Sequence, residues 1–304
     1  MKKLIIFVLI GVILVTGVIA TGTYGLSEEN IEIYQQAVKL QSGNENFGFE
    51  GFFLTDYPVS FYDGNKDYVV VWENNTYSIT KRKATINSLA ATAYPIDGHY
   101  EVLTPTIEKM TSLLGLFSTE DADYGTEEHI STLWHEAFHC WQLTNYLANI
   151  EAICPVAINE KIIAEQVDTN EKAVALFKQQ STLLEDAVKS GDVDKIREYI
   201  VRYKELDEER DILLSAEAIA LEEYYTRVEG SACYIEACVY QLQCPDSIAS
   251  SYIDTISEYS GGSGKYYKSG MAMCMILDAI DSDWKDSYDF SEPLINLIYK
   301  ELEI

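Results

Sequence analysis

Apolar side chains recur along this chain with two different periods, and the switch between them divides it. Over residues 27–40 they fall three and four apart, with Ser27 placed as an N-cap, which predicts a short helix. From 47 to about 100 the pattern turns β-rich. Phe52, Phe53, Val59 and Phe61 lead toward the run Tyr-Val-Val-Val-Trp at 68–72, and Asp63-Gly64-Asn65 lies between two such runs as a hairpin turn. Stretches 76–80 and 85–94 add further strand-like pattern, so a small antiparallel or mixed sheet is expected. A short helix is predicted over 105–116.

Beyond Thr126 helical spacing dominates. Spans 158–189 and 193–242 carry it, separated by Ser190-Gly191-Asp192. The second span is too long for one uncapped helix, so a break is expected within it. Residues 204–211 (KELDEERD) read as a solvated helix face. Two final helices are predicted over 264–279 and 292–302. No internal repeat or low-complexity linker is visible. The pattern predicts an α+β, predominantly α fold: a small N-terminal sheet (47–100) packed on a helical part (126–304) with a long helical insertion, all within one domain, 21–304.

Composition agrees with a globular chain, with 47% apolar and 23% charged residues among 304. The formal charge of −27 argues against nucleic acid as a partner and against docking to an anionic membrane surface. Its plain reading is solubility. Lys2 and Lys3 precede an apolar run over 4–20, broken only by Gly11, Thr16 and Gly17, and Val18-Ile19-Ala20 offers a small-residue cleavage site. Residues 1–20 therefore read as a signal peptide or signal anchor, and the remainder is expected to be extracytoplasmic, released or membrane-anchored through that segment. The six cysteines can pair in an oxidising compartment or remain reduced and buried; no CxxC occurs, so no redox motif or zinc knuckle is indicated.

The candidate chemistry sits at His135-Glu136-Ala137-Phe138-His139, which reads HExxH. Four residues apart on a helix, the two imidazoles share a face and can bind one zinc ion. Glu136, rotated by roughly 100° about the axis, can act as general base toward a water activated at the metal. Ile130, Leu133, Trp134, Ala137, Phe138 and Trp141 supply the apolar face that buries such a helix, while Thr126, Glu127 and Glu128 provide a capping type and two acids for its first turn.

A catalytic zinc takes a third protein ligand. His99 and His129 lie upstream of the motif, and a third histidine closely following HExxH is absent, so a carboxylate from a later helix is expected. Glu151, Glu160, Glu165 and Glu229 are the candidates. Glu229 is preferred because Gly230, Ser231 and Ala232 follow it, small side chains that let its helix approach the motif helix. Glu160 is the main rival.

These residues, Thr132 to Trp141 and Arg227 to Ala232, with 266–272 as a weaker third piece, resemble the gluzincins, the zincin metallopeptidases whose third ligand is glutamate. The chain is most similar to bacterial exported zincin-like proteins with an HExxH helix and a distant Glu-Gly-small-Ala helix. The resemblance implies a zinc peptidase acting on a peptide or protein substrate, which an edge strand beside the motif helix aligns by β-addition. The chain departs from the pattern in lacking a GAMEN-like sequence and a thermolysin-type ExxxD, since Cys233 stands four after Glu229. Tyr267, or its neighbour Tyr266, is the candidate oxyanion donor, following the loop Gly261-Gly262-Ser263-Gly264. That loop does not meet the phosphate-binding pattern. Two alternatives remain open from sequence: a non-catalytic binding protein on the same scaffold, and a structural helical protein in which HExxH is fortuitous.

Overall fold

Short polar side chains at element ends do much of the local work of shaping this chain. In the computed structural model residues 25–43, 45–87, 89–117, 124–154 and 158–304 are described, and the signal-like segment 1–20 lies outside them. The fold is α+β and mainly helical, with one five-stranded mixed sheet. Backbone contacts divide the chain into two compact units: Met1–Phe47 with Gly51–Thr144, and Gly48–Glu50 with Asn145–Ile304. The motif helix, up to Thr144, thus groups with the sheet rather than with the helices that follow it. Among the described residues no helix is long and apolar enough to cross a membrane.

In the first unit, helix α1 (Glu28–Gln41) is capped by Ser27, whose hydroxyl accepts the Asn30 N–H at 3.4 Å. Asn30 is itself fully buried and accepts the Ile107 N–H at 2.9 Å, tying α1 to the start of α2 (Ile107–Phe117). Strands β1 (Val59–Tyr62) and β2 (Lys66–Glu73) form the expected hairpin, and the Asp63 carboxylate accepts the N–H groups of Asn65 and Lys66 at 2.8 Å each. Strand β3 (Thr76–Lys83) pairs with β2 across Asn74-Asn75, both at positive φ as a tight hairpin requires.

The rest of the sheet corrects the sequence reading. Of the stretch 85–94 only the end pairs, as β4 (Thr92–Ile96), and it turns through Asp97-Gly98, at φ 48° and 88°, into β5 (His99–Pro105). Strand β5 runs parallel to β1, giving the order β3-β2-β1-β5-β4. Pro105 therefore ends a strand instead of opening a helix. The ring disfavours helical backbone in the residue before it, and the Thr106 N–H still donates to Tyr62 O at 2.9 Å.

Helix α3 (Thr126–Ile153) carries the motif and leaves helical geometry at Tyr146, φ −128°. Gly125, not Thr126, occupies the cap: its carbonyl accepts the His129 N–H and its own N–H donates to Glu128 at 2.9 Å. The predicted apolar face is the buried one. Phe52 meets Trp134, Phe138 and Trp141 with ring centroids 5.0–5.9 Å apart, and the Trp134 indole donates to Ala37 O at 3.3 Å.

The second unit is helical. The span 158–189 breaks into a turn α4 (Glu160–Ile162), which continues as a π-helical turn through Val167, and α5 (Glu171–Ser190), capped by Asn170. Helix α6 (Val193–Asp211) follows Gly191 and is capped by Asp192. The expected break comes at 212–215, where Ser215 caps α7 (Ala216–Tyr224). A π-helical turn, Tyr225–Glu229, joins α7 to α8 (Gly230–Gln243); after a short α9 (Ile248–Ser251), α10 (Gly264–Ile280) and α11 (Leu294–Glu301) complete the unit. The charge run 204–211 is only partly solvated. Arg210 is buried and ion-paired with the buried Glu222 of α7. Cys140, Cys233, Cys238 and Cys274 are free thiols.

Candidate metal centre

His135 and His139 stand one helical turn apart on α3, each 8% exposed, with Glu136 at 9%. Their rings cross at 74°, and the two Nε2 atoms lie 3.1 Å apart. The His139 Nδ1 meets Gln142 Oε1 at 2.6 Å. An amide oxygen only accepts, so Nδ1 carries the proton and Nε2 presents a lone pair. Gln142, three residues on and fully buried, is the orienting partner that the sequence reading missed, although its spacing on the motif face was visible. Residues Ser131, Thr132 and Thr144 return their hydroxyls to carbonyls four residues back, so these three hydroxyls are satisfied within the helix.

The other two histidines serve elsewhere. His129 is buried, stacks on Phe61, meets the Tyr124 hydroxyl at 3.1 Å, and burial lowers its pKa to about 4. His99 lies on β5 against Glu101 at 3.0 Å.

In the second unit Glu229 closes the π-helical turn and is half-buried. Such a turn inserts one extra residue into the helix, and it recurs at functional positions. Tyr224 and Tyr267 both sense the Glu229 carboxylate: burial first, then that charge, raises each hydroxyl above its ordinary value. The Tyr267 hydroxyl therefore stays protonated. Tyr266 is buried and donates to Glu222, beside Arg210.

Gly230 has a different neighbour from the one expected. A Cβ there would lie 2.5 Å from the Gly270 Cα, and one on Gly270 would lie 2.0 Å from the Thr226 carbonyl oxygen. Gly230 thus serves a close crossing of α8 with α10, the helix that bears Tyr267.

The rival carboxylates have their own surroundings. Glu160 accepts the Tyr225 hydroxyl at 2.7 Å, Glu165 pairs with Lys161 at 3.5 Å on the surface, and Glu151 is exposed. Ahead of Tyr267, Asp168 holds the glycine loop, accepting from Gly262 N at 2.7 Å, Tyr259 Oη at 2.8 Å and the buried Lys265 Nζ at 2.9 Å. Burial pushes the Asp168 carboxyl up, but these donors hold it below its ordinary value. Nothing in the local sequence announced this tie, since its partners are about ninety residues apart.

Comparison of the chain with protein-family models, curated proteins and solved structures finds no match.

Proposed function

We propose that this chain is an exported zinc-dependent metallohydrolase, a peptidase whose metal ligands are His135, His139 and Glu229. The observation that carries the reading is the imidazole pair, with its Nε2 atoms 3.1 Å apart. Tetrahedral zinc with Zn–N bonds near 2.0–2.1 Å spans two nitrogens by about 3.3 Å. The pair thus stands close to chelating distance, and Gln142 sets the tautomer that a ligand needs. In support, Glu229 is half-buried and closes the π-helical turn of the second unit, a feature that recurs at functional positions. Export rests on Lys2, Lys3 and the apolar run over 4–20.

Bound Zn²⁺ would supply Lewis acidity toward a scissile carbonyl. Glu136, beside His135 on α3, takes the proton of the attacking water and returns it to the leaving amine. Tyr267 donates its hydroxyl proton in a hydrogen bond to the developing oxyanion. A peptide extended along an edge of the sheet, which ends on β3 and β4, gains backbone hydrogen bonds that align it.

The test is metal content together with turnover of a peptide library. The purified protein should hold about one zinc per chain and cleave a subset of peptides, and His135→Ala should lose the metal. Far less zinc, with no affinity on titration, would sink the proposal. Zinc without turnover would favour a binding protein on this scaffold.

A further inference from the structure

We infer that Glu160 selects a cationic group of the substrate. This rests on the peptidase reading above and adds a substrate class to it. Asn159 caps the turn α4 by accepting the Lys161 N–H at 3.1 Å, which fixes the direction in which Glu160 leaves the backbone. The half-buried carboxylate then accepts the Tyr225 hydroxyl through Oε1 at 2.7 Å. Tyr225 opens the π-helical turn that Glu229 closes. The other oxygen, Oε2, faces the glycine loop before Tyr267, 4.0 Å from where a Gly262 Cβ would stand. Its charge reaches both Tyr225 and Tyr267, since it contributes to raising each hydroxyl behind the larger effect of burial.

The neighbouring cations are engaged elsewhere. Lys161 pairs with Glu165 at 3.5 Å, and Lys265 Nζ donates to Asp168 at 2.9 Å and to Gly262 O at 2.6 Å. Among the described residues no cation pairs with Glu160. Tyr225 contributes a neutral donor that orients the carboxylate without cancelling its charge. A half-buried anion with an acceptor oxygen to spare takes its strongest partner from an ammonium or guanidinium group. Two parts of a peptide carry that chemistry: a free N-terminal amine, and a Lys or Arg side chain.

The experiment measures binding rather than turnover. The full chain carrying Glu136→Gln, loaded with zinc, is titrated with one peptide core in four forms: free N-terminus, acetylated N-terminus, acetylated with an added Lys, and acetylated with an added Glu. A cationic form should bind about tenfold more tightly than the acetylated neutral form, as a charge-assisted hydrogen bond allows. Adding Glu160→Gln should reduce that preference to about twofold or less while zinc content is unchanged. Tyr225→Phe, which keeps the charge, should retain the preference, so a folding defect in one variant does not decide the matter. Preference for the free amine over acetylated Lys identifies the N-terminus as the source, and the reverse identifies the side chain. Equal affinity for charged and neutral forms, or a preference that survives Glu160→Gln, overturns the inference. Glu160-dependent binding without turnover by the wild-type chain would remove the peptidase reading alone, whereas turnover with no charge preference would remove the inference alone.

Discussion

At the scale of single residues, the proposed zinc peptidase reading assigns metal binding and proton transfer to different side chains of the motif. Glu136→Gln keeps the shape of the side chain and removes its basicity, so zinc content should persist while turnover falls by about 10²-fold or more; wild-type rates in that variant would rule out the general-base role. Gln142 would act on a bound metal through His139. Gln142→Leu leaves the imidazole proton without its acceptor and should weaken zinc binding by about 10-fold, read by competition with a chelator. For the third ligand, Glu229→Ala should lower zinc affinity sharply and Glu160→Ala should leave it nearly intact. The same titration exposes the opposite assignment, zinc lost with Glu160 and kept without Glu229.

At the scale of elements, α8 and α10 cross in the second unit with no clearance at two glycines. Neither Gly230 nor Gly270 has room for a Cβ, and at Gly270 the obstacle is the Thr226 carbonyl, part of the π-helical turn that ends in Glu229. Backbone cannot move aside as a flexible side chain can. Gly270→Ala should therefore destabilise the protein by about 1–3 kcal/mol, the usual range for overpacking, seen as a lower urea midpoint. A midpoint equal to wild type would mean that the two helices tolerate separation. The tie of Asp168 to Gly262 and Lys265 acts at the same scale, because it fixes the loop from which α10, and with it Tyr267, starts.

For the molecule as a whole, the excess of carboxylates makes stability depend on pH. Burial, and then the charge of Asp211, pushes the Asp207 carboxyl up to about 6, while Gln180 donates to it at 2.7 Å. An unfolded Asp titrates near 4, so between about pH 4 and 6 the folded chain binds the extra proton. Stability contributed by this group is present at low pH and is lost as pH rises through its folded value. Asp207→Asn keeps an acceptor for Gln180 and removes the ionisation. The urea midpoint of that variant should exceed wild type at pH 7.5 and approach it at pH 4. An unaltered pH slope would show that Asp207 is not the responsible group.

The HExxH helix was legible in the residues because what defines it is local: imidazoles four apart, an apolar face at the right spacing, acids in the first turn. Ser27 as a cap and Asp63-Gly64-Asn65 as a turn were legible for the same reason. Asp97-Gly98 was an equally local signal for the β4–β5 hairpin and went unread. Other features had no local signature. The parallel pairing of β1 with β5 depends on which distant strand arrives alongside, and hydrogen bonds between backbones carry no residue code. Arg210 sits in a run that looks solvated and is buried because Glu222 meets it from another helix. The glycine after Glu229 promised a close approach, but only the packed structure decided that the neighbour is Gly270, since a missing side chain states how near something comes and not what comes.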